Sequence, residues 1–125
     1  MTPLRIYIAD DNEMFQELIT LFLRGQKEVE IVGTARNGAD ALSGVEKYKP
    51  DVVFIDLNMP KAGGTKTPQT IKERFPDTGV YICSAYPDDA LQASVEQLGV
   101  DGYISKATLK LGLTDVIKKE RAKKK

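Results

Sequence analysis

The sequence has no histidine, a single cysteine and no net charge at neutral pH. Without histidine, a histidine general base, a histidine nucleophile and the usual zinc sites are excluded. Cys83 cannot build a disulfide framework by itself, and its apolar neighbours predict a small buried side chain. No apolar run approaches the ~18 residues that a membrane span requires, and we see no signal peptide. We therefore expect a soluble, cytoplasmic protein that does not contact membranes.

The charges are balanced in number but unevenly distributed. Lysine and arginine together number 18, as do aspartate and glutamate, so no global field indicates direct binding to nucleic acid. Residues 106–125 contain eight basic and two acidic residues, net +6, which leaves −6 for the first 105 residues. A chain of 125 residues is long enough for one core. We predict a single domain over residues 1–125, with 119–125 as a basic tail that can fray.

The central stretch of the chain is the apolar run at residues 52–55, which ends in Asp56. Four apolar residues in succession, most of them β-branched or aromatic, are typical of a strand that is buried on both faces. Pro60 prevents the strand from continuing, because it has no N–H to donate. Asp56 could simply cap or turn the chain, as many aspartates at strand ends do. A functional role for Asp56 therefore has to be supported by other residues.

Strand and helix patterns alternate along the whole chain. The strand patterns cover residues 4–9, 29–35, 52–55, 79–83 and 102–105, and a helical apolar period follows each of them. We predict that Asn12 or Asp11 caps the first helix, and that the third begins with Thr67 as N-cap and Pro68 as first residue. Such alternation indicates right-handed βαβ units, and thus an α/β, doubly wound parallel sheet with five strands and helices on both faces.

Polar residues follow four of the five strands. They are Asp10, Asp11, Asp56, Ser84 and Lys106. Because parallel strands end at a common edge, these side chains are predicted to converge. Three converging carboxylates need a cation, and a ligand set made only of oxygen favours Mg²⁺, which also accepts phosphate oxygens. A carboxylate can itself become an acyl phosphate, and a hydroxyl and an ammonium group could then bind the phosphate oxygens.

In this order, the motifs resemble the receiver domain of two-component response regulators, over essentially the whole chain. The segments that carry the resemblance are Asp10-Asp11, Asp56-Leu57-Asn58-Met59-Pro60 with Gly64, Ser84-Ala85, Gly102-Tyr103-Ile104-Ser105-Lys106 and residues 35–42. The resemblance implies a flavodoxin-like sheet with strand order 2-1-3-4-5. It also implies phosphoryl transfer to an aspartate from a sensor histidine kinase or a phosphotransfer protein.

The resemblance assigns a role to each site residue. Asp56 would be the phospho-acceptor, and Ser84 and Lys106 would bind the phosphoryl group. Asp11, Asp56 and the backbone carbonyl of Asn58 would hold Mg²⁺, with Asp10 acting through water. Tyr103 would be the switch residue. The chain would then be a regulatory protein that promotes its own phosphorylation and dephosphorylation, and not an enzyme with a separate substrate.

The resemblance also implies an output surface formed by the fourth helix, fifth strand and fifth helix, which could support a homodimer on phosphorylation. We expect the basic residues Lys118, Lys119, Arg121 and Lys123 on this surface. They could meet acidic groups on a second copy or an effector, such as Asp88, Asp89 and Glu96. Salt should weaken such contacts.

Three other functions are alternatives to this interpretation. A haloacid-dehalogenase-type enzyme also uses a strand-end aspartate, but it needs a second acid where this chain has Asn58. A dinucleotide-binding module would need a glycine-rich turn after the first strand, where acids stand instead. A degenerate receiver that is never phosphorylated remains a rival. Ala107-Thr108 follow the lysine, as in receivers joined to a helix-turn-helix domain, and the sequence leaves open whether the chain is stand-alone or excised.

Overall fold

The computed structural model describes residues 2–59 and 66–124. Within these ranges the strands are β1 Leu4–Ala9, β2 Val29–Ala35, β3 Val52–Asp56, β4 Gly79–Ser84 and β5 Gly102–Ser105. The helices there are α1 Glu13–Arg24, α2 Gly38–Tyr48, α3 Lys66–Arg74, α4 Asp88–Leu98 and α5 Leu109–Lys124, with a 3₁₀ turn at Lys106–Thr108. The predicted roles of Pro60 and Gly64 lie outside the described residues. The basic segment after residue 118 is helical as far as Lys124.

All strand pairs are parallel, and the order is β2-β1-β3-β4-β5. Every residue of β3 is buried, as its uninterrupted apolar run predicted. One face of the sheet packs against α2, α3 and α4 through residues such as Val45, Ile71 and Leu91. The other face packs against α1 and α5 through residues such as Ile19 and Leu113. The predicted doubly wound, flavodoxin-like architecture is confirmed.

The helix ends follow their local sequence signals, with one correction. Asn12 caps α1, its side chain accepting a hydrogen bond from the Phe15 N–H. Gly99 ends α4 in the left-handed region, with φ of 70°. The predicted capping role of Thr67 is wrong, because Thr67 lies inside α3, which includes Lys66. Pro68 is tolerated there because N–H groups in the first helical turn have no acceptor within the helix.

Candidate functional site

Three aspartates converge where β1 and β3 end. Asp10 follows β1 directly and Asp56 is the last residue of β3, and these two strands are neighbours in the sheet. Carboxylate oxygens of Asp10, Asp11 and Asp56 all lie within 4.8 Å of one another. Asp10 is 2% exposed and Asp56 is 6% exposed, whereas Asp11 is exposed to solvent. The sequence-based prediction that these residues meet at one edge of the sheet is confirmed.

Backbone N–H groups in the loops after the strands hold the two buried carboxylates in place. The Asn12 N–H donates to Asp10 Oδ1 over 2.8 Å, and the Asn58 N–H donates to Asp56 Oδ1 over 3.1 Å. Both are bonds from an aspartate to the residue two positions later, which is a common way for aspartate to turn a chain. Asp56 therefore turns the chain after β3, and it also belongs to the acidic cluster.

Lys106 supplies the positive charge at this edge. It follows β5 directly, and its Nζ lies 3.0 Å from Asp10 Oδ2 and 3.7 Å from Asp56 Oδ1. The ammonium also lies 4.1 Å from the centroid of the Phe15 ring. This distance is within the range of a cation–π contact, so the first turn of α1 helps to hold Lys106 over the acids.

The two buried aspartates and Lys106 set the electrostatics of the acidic cluster. Burial raises the pKa of Asp56 to about 6, and the charge of Asp10 adds to this rise. The Asn58 N–H and the Lys106 ammonium act in the opposite direction, because both favour the ionised carboxylate. Burial and the neighbouring acids thus make the ionised form of Asp56 less favourable than in a free aspartate.

The cluster offers the kind of ligand atoms that a magnesium site requires. Asp10 Oδ2 is buried and forms an ion pair with Lys106 Nζ at 3.0 Å, but it accepts no hydrogen bond from the residues that the structure describes. A buried oxygen with spare acceptor capacity normally has a partner, such as an ion. Since all the ligands are oxygen atoms, Mg²⁺ fits the residues present. The binding of Mg²⁺ by Asp11, Asp56 and the Asn58 carbonyl stays a prediction.

Ser84 and Tyr103 lie on β4 and β5, the two strands that follow β3 in the sheet. Ser84 ends β4, one residue beyond Cys83, which is paired with Asp56, and it is 1% exposed. Its Oγ accepts a hydrogen bond from the Tyr86 N–H over 3.1 Å. Tyr103 is on β5, is half-buried and lines a groove of about 280 Å³ between α4 and α5. Their roles as phosphate ligand and switch stay predictions.

The basic residues at the end of the chain do not share one surface. Lys119 lines the groove between α4 and α5 beside Tyr103. Lys118 and Arg121 line a different groove, with Leu4 at the start of β1. Placing all the basic residues on the output surface was therefore wrong, because successive residues of a helix point in different directions.

Two aromatic residues at the site were not assigned a functional role from the sequence. Phe15 lies in the first turn of α1, which places it near the acidic pair. Tyr86 lies in the loop between β4 and α4, and its phenol donates to Asn58 Oδ1 over 3.1 Å. Nothing in the local sequence indicates that contact, because the two residues are 28 positions apart.

Cys83 lies in the hydrophobic core of the structure. Cys83 is fully buried, and this burial raises its pKa to about 12, so its interpretation as a small buried side chain is confirmed. In the part of the chain that the structure describes, no helix combines the length and the apolar character that crossing a membrane demands.

Residues 6–118 match the response regulator receiver domain family. The chain belongs to this family. It is the receiver domain of a two-component response regulator, as the ordered motifs predicted. The family match includes Asp10, Asp11, Asp56, Ser84 and Lys106.

Relatives with longer chains show the same similarity. The receiver is 35% identical over 103 residues to the transcriptional regulatory protein DegU of Brevibacillus brevis, covering 82% of this chain and 44% of that protein. It is 36% identical over 104 residues to the oxygen regulatory protein NreC of Staphylococcus haemolyticus, covering 82% and 48%. The chain spans about half the length of the curated relatives that it matches.

Solved structures agree with the fold. The signal receiver domain of NarL from Mycobacterium tuberculosis is similar with a TM-score of 0.86 and 25% identity, covering 97% of this chain and 98% of that one. The response regulator domain of CheB from Thermotoga maritima is similar with a TM-score of 0.82 and 23% identity, covering 96% and 95%. These likenesses identify the receiver fold.

Proposed function

We propose that this receiver accepts a phosphoryl group on Asp56 from the phosphohistidine of a sensor histidine kinase or phosphotransfer protein, or from a small phosphodonor. The observation that carries the proposal is the position of Asp56, a buried carboxylate with two further acids and Lys106 around it at the carboxyl edge of the sheet. Structural carboxylates are usually paired one to one, and this excess of acid next to one lysine suits a site that must receive a cation and a phosphoryl group.

In the proposed reaction, an oxygen of the Asp56 carboxylate attacks the phosphorus atom of the donor. The new bond joins that oxygen to phosphorus, and the bond from phosphorus to the donor breaks. The electron pair of the broken bond leaves with the histidine nitrogen, or with the carboxylate oxygen of acetyl phosphate. The attacking and leaving atoms lie roughly in line, so the site mainly positions the reactants and stabilises charge.

Each site residue would contribute one part of this stabilisation. Mg²⁺, when bound by Asp11, Asp56 and the Asn58 carbonyl, with Asp10 acting through water, supplies positive charge to the phosphate oxygens. Lys106 would donate a charge-assisted hydrogen bond to an oxygen that the metal leaves free, and Ser84 would donate a neutral one. Charge-assisted bonds are roughly twice as strong, so Lys106→Ala should impair the response more than Ser84→Ala.

The phosphoryl group would also drive a conformational change. Shifting a two-state domain from almost wholly inactive to almost wholly active needs ~5.5 kcal/mol of differential stabilisation. Hydrogen bonds to a charged phosphate from Ser84 and Lys106 are worth roughly 1.5–3 kcal/mol each, which is about enough. If Ser84 moves toward the phosphate, Tyr103 can swing from the groove between α4 and α5 into the space that is vacated.

The resulting change would reach the surface formed by α4, β5 and α5. We infer that this surface controls self-association or the binding of an effector, and that the receiver itself does not contact nucleic acid. A cytoplasmic kinase partner would place the domain in the cytoplasm. Lys119 is the basic residue that lines the groove on this surface, so it is the one best placed to meet an acidic partner.

Intact-mass spectrometry after incubation with acetyl phosphate and Mg²⁺ tests the acceptor. We expect wild-type protein to gain one phosphoryl group only when Mg²⁺ is present, and Asp56→Asn to gain none. An equal mass gain in both proteins would contradict the assignment. No gain in either protein, with acetyl phosphate or with a phosphorylated kinase, would favour the degenerate receiver.

A further inference from the structure

The carboxyl ends of β1 and β2 are joined by a side chain of α1. Asp10 directly follows β1, and Ala35 is the last residue of β2. The side-chain amide nitrogen of Gln16 donates to the Asp10 carbonyl over 2.7 Å and to the Ala35 carbonyl over 2.8 Å. Because carbonyl oxygens cannot donate, the nitrogen and not the oxygen of this amide must face them. Gln16 therefore uses both of its side-chain N–H groups to bridge two neighbouring strand ends.

Asp10 depends on this bridge because it lies beyond the paired part of its strand. The pairing of β1 with β2 and its pairing with β3 both end at Ala9. Past that point the Asp10 N–H donates to the Ala35 carbonyl over 3.0 Å, and the Gln16 bridge adds a second link between the same two residues. The main chain at Asp10 is thus tied to β2 by one backbone bond and one part-buried side chain.

The segment that Gln16 holds carries two of the three acids in the proposed metal site. Asp10 and Asp11 are consecutive, and their carboxylate oxygens lie within 4.8 Å of each other and of an Asp56 oxygen. The Asn12 N–H orients the Asp10 carboxylate by donating to Oδ1 over 2.8 Å. Gln16 acts one step further back, because it places the main chain from which that carboxylate extends.

We propose that Gln16 is a positioning residue that sets the affinity and the selectivity of this site for Mg²⁺. The inference rests on the proposed binding of Mg²⁺ by this receiver. Mg²⁺ requires ligands in near-ideal octahedral geometry, whereas Ca²⁺ accepts more ligands in flexible arrangements. A side chain that fixes the main chain at Asp10 therefore favours the smaller and more demanding ion.

Loss of the Gln16 bridge should weaken Mg²⁺ binding by a limited amount. Removal of a group that hydrogen-bonds a metal-ligating side chain typically costs roughly 10- to 100-fold in metal affinity. Because Gln16 holds the main chain and not a ligand atom, we expect a smaller rise in the Mg²⁺ dissociation constant, roughly 3- to 10-fold. Ca²⁺ tolerates displaced ligands, so its dissociation constant should change by less than about 2-fold.

Isothermal titration calorimetry of wild type and Gln16→Met with magnesium chloride and with calcium chloride provides the test. Methionine is also long and unbranched, but it has no N–H groups to donate to the two carbonyls. We expect the variant to bind Mg²⁺ more weakly and to bind Ca²⁺ almost as wild type does. The preference for Mg²⁺ over Ca²⁺ should therefore fall, which a purely structural role for Gln16 would not predict.

Thr78→Val is a matched control, because it also removes a hydrogen bond from a side chain to a backbone carbonyl. Thr78 is buried directly before β4, at the opposite edge of the sheet, and its Oγ1 donates to the Pro50 carbonyl over 3.3 Å. Its affinities for both ions should match those of wild type, whatever it does to stability. An equal change of preference in Thr78→Val and Gln16→Met would attribute the effect to general loosening of the fold and would overturn the inference.

A measurement on wild type tests the inference even if Gln16→Met does not fold. The side-chain amide resonance of Gln16 should shift during a Mg²⁺ titration, with the midpoint that calorimetry gives. That of Gln26, between α1 and β2 at the opposite edge, should stay constant.

The outcomes separate this inference from the proposed function. A Gln16 amide that does not respond, unchanged Mg²⁺ binding in Gln16→Met, or equal losses for both ions would overturn the role of Gln16 and leave the metal site intact. If wild type binds no Mg²⁺, the proposed metal site fails and this inference fails with it.

Discussion

Buried carboxylates lie toward both edges of the sheet, and their surroundings differ. At the carboxyl edge, Asp10 Oδ2 is ion-paired with Lys106 but accepts no hydrogen bond within residues 2–59 and 66–124, and burial and the charge of Asp10 raise the pKa of Asp56. Toward the amino edge, Glu120 of α5 is 4% exposed. It accepts hydrogen bonds from the Tyr81 hydroxyl and, over 3.1 Å, from Lys123 Nζ.

The two carboxylate sites differ in how far hydrogen bonds within the fold engage the acid. Gly79 leaves space for the Glu120 carboxylate, because an added Cβ at position 79 would lie 2.8 Å from the Glu120 carboxyl carbon. Burial and the Glu120 carboxylate both raise the pKa of Tyr81, so its hydroxyl remains a donor. A buried acid that accepts hydrogen bonds within the fold contributes to stability, whereas a buried carboxylate oxygen that accepts none there has capacity for a ligand.

Removal of the structural acid should have the largest effect on stability. Glu120→Ala leaves the buried Tyr81 hydroxyl without its acceptor, and we expect a loss of about 2 to 3 kcal/mol in the free energy of unfolding. Urea denaturation would measure the loss. Glu120→Gln, which keeps an acceptor, should lose less. If Glu120→Ala loses less stability than Glu120→Gln, the hydrogen bond between Tyr81 and Glu120 is not what stabilises this edge.

Filling the space beside Glu120 should have the next largest effect. Gly79→Ala places a methyl group against the carboxylate, and moving Glu120 or the strand should cost about 1 to 2 kcal/mol. Thermal unfolding followed by circular dichroism would detect this. In the double variant with Glu120→Ala, the cost of the methyl group should largely disappear. A cost that remains unchanged would mean that the clash lies with the backbone.

At the carboxyl edge, removal of an acid should instead stabilise the protein. Asp56→Asn removes a buried charge that is repelled by Asp10, so in metal-free buffer we expect a gain of roughly 0.5–2 kcal/mol. Urea denaturation with chelator would test this. Mg²⁺ should stabilise wild type and stabilise the variant much less. If both proteins gain equally from Mg²⁺, Asp56 is not a ligand.

An ion pair at the protein surface should matter least. Lys124 Nζ lies 2.9 Å from Asp51 Oδ2, with both side chains part-exposed. We expect Lys124→Met to lose less than about 1 kcal/mol in low salt, and the loss should shrink further as salt is added. Urea denaturation at two salt concentrations would show it. A larger loss that does not respond to salt would mean that packing of the lysine stem dominates.

The sequence alone predicted the α/β fold class and the polar residues at the strand ends. Period-two and period-3.6 patterns distinguish strands from helices, and parallel strands must end at a common edge, so Asp10, Asp56 and Lys106 were predicted to lie at that edge. The strand order came from the resemblance to receiver domains. The ends of α1 and α4 were also predictable, because Asn12 and Gly99 satisfy local backbone geometry.

Only the tertiary structure decided which side chains meet across loops and across faces. Tyr86 donates a hydrogen bond to Asn58, and Tyr81 donates one to Glu120. The Lys106 ammonium lies over the Phe15 ring. The packing of α5 also places its basic residues in two different grooves. Such contacts join residues that are far apart in the chain, and they depend on loop paths and helix rotation. A local periodic pattern specifies that a face is buried, but not which side chain each of its residues touches.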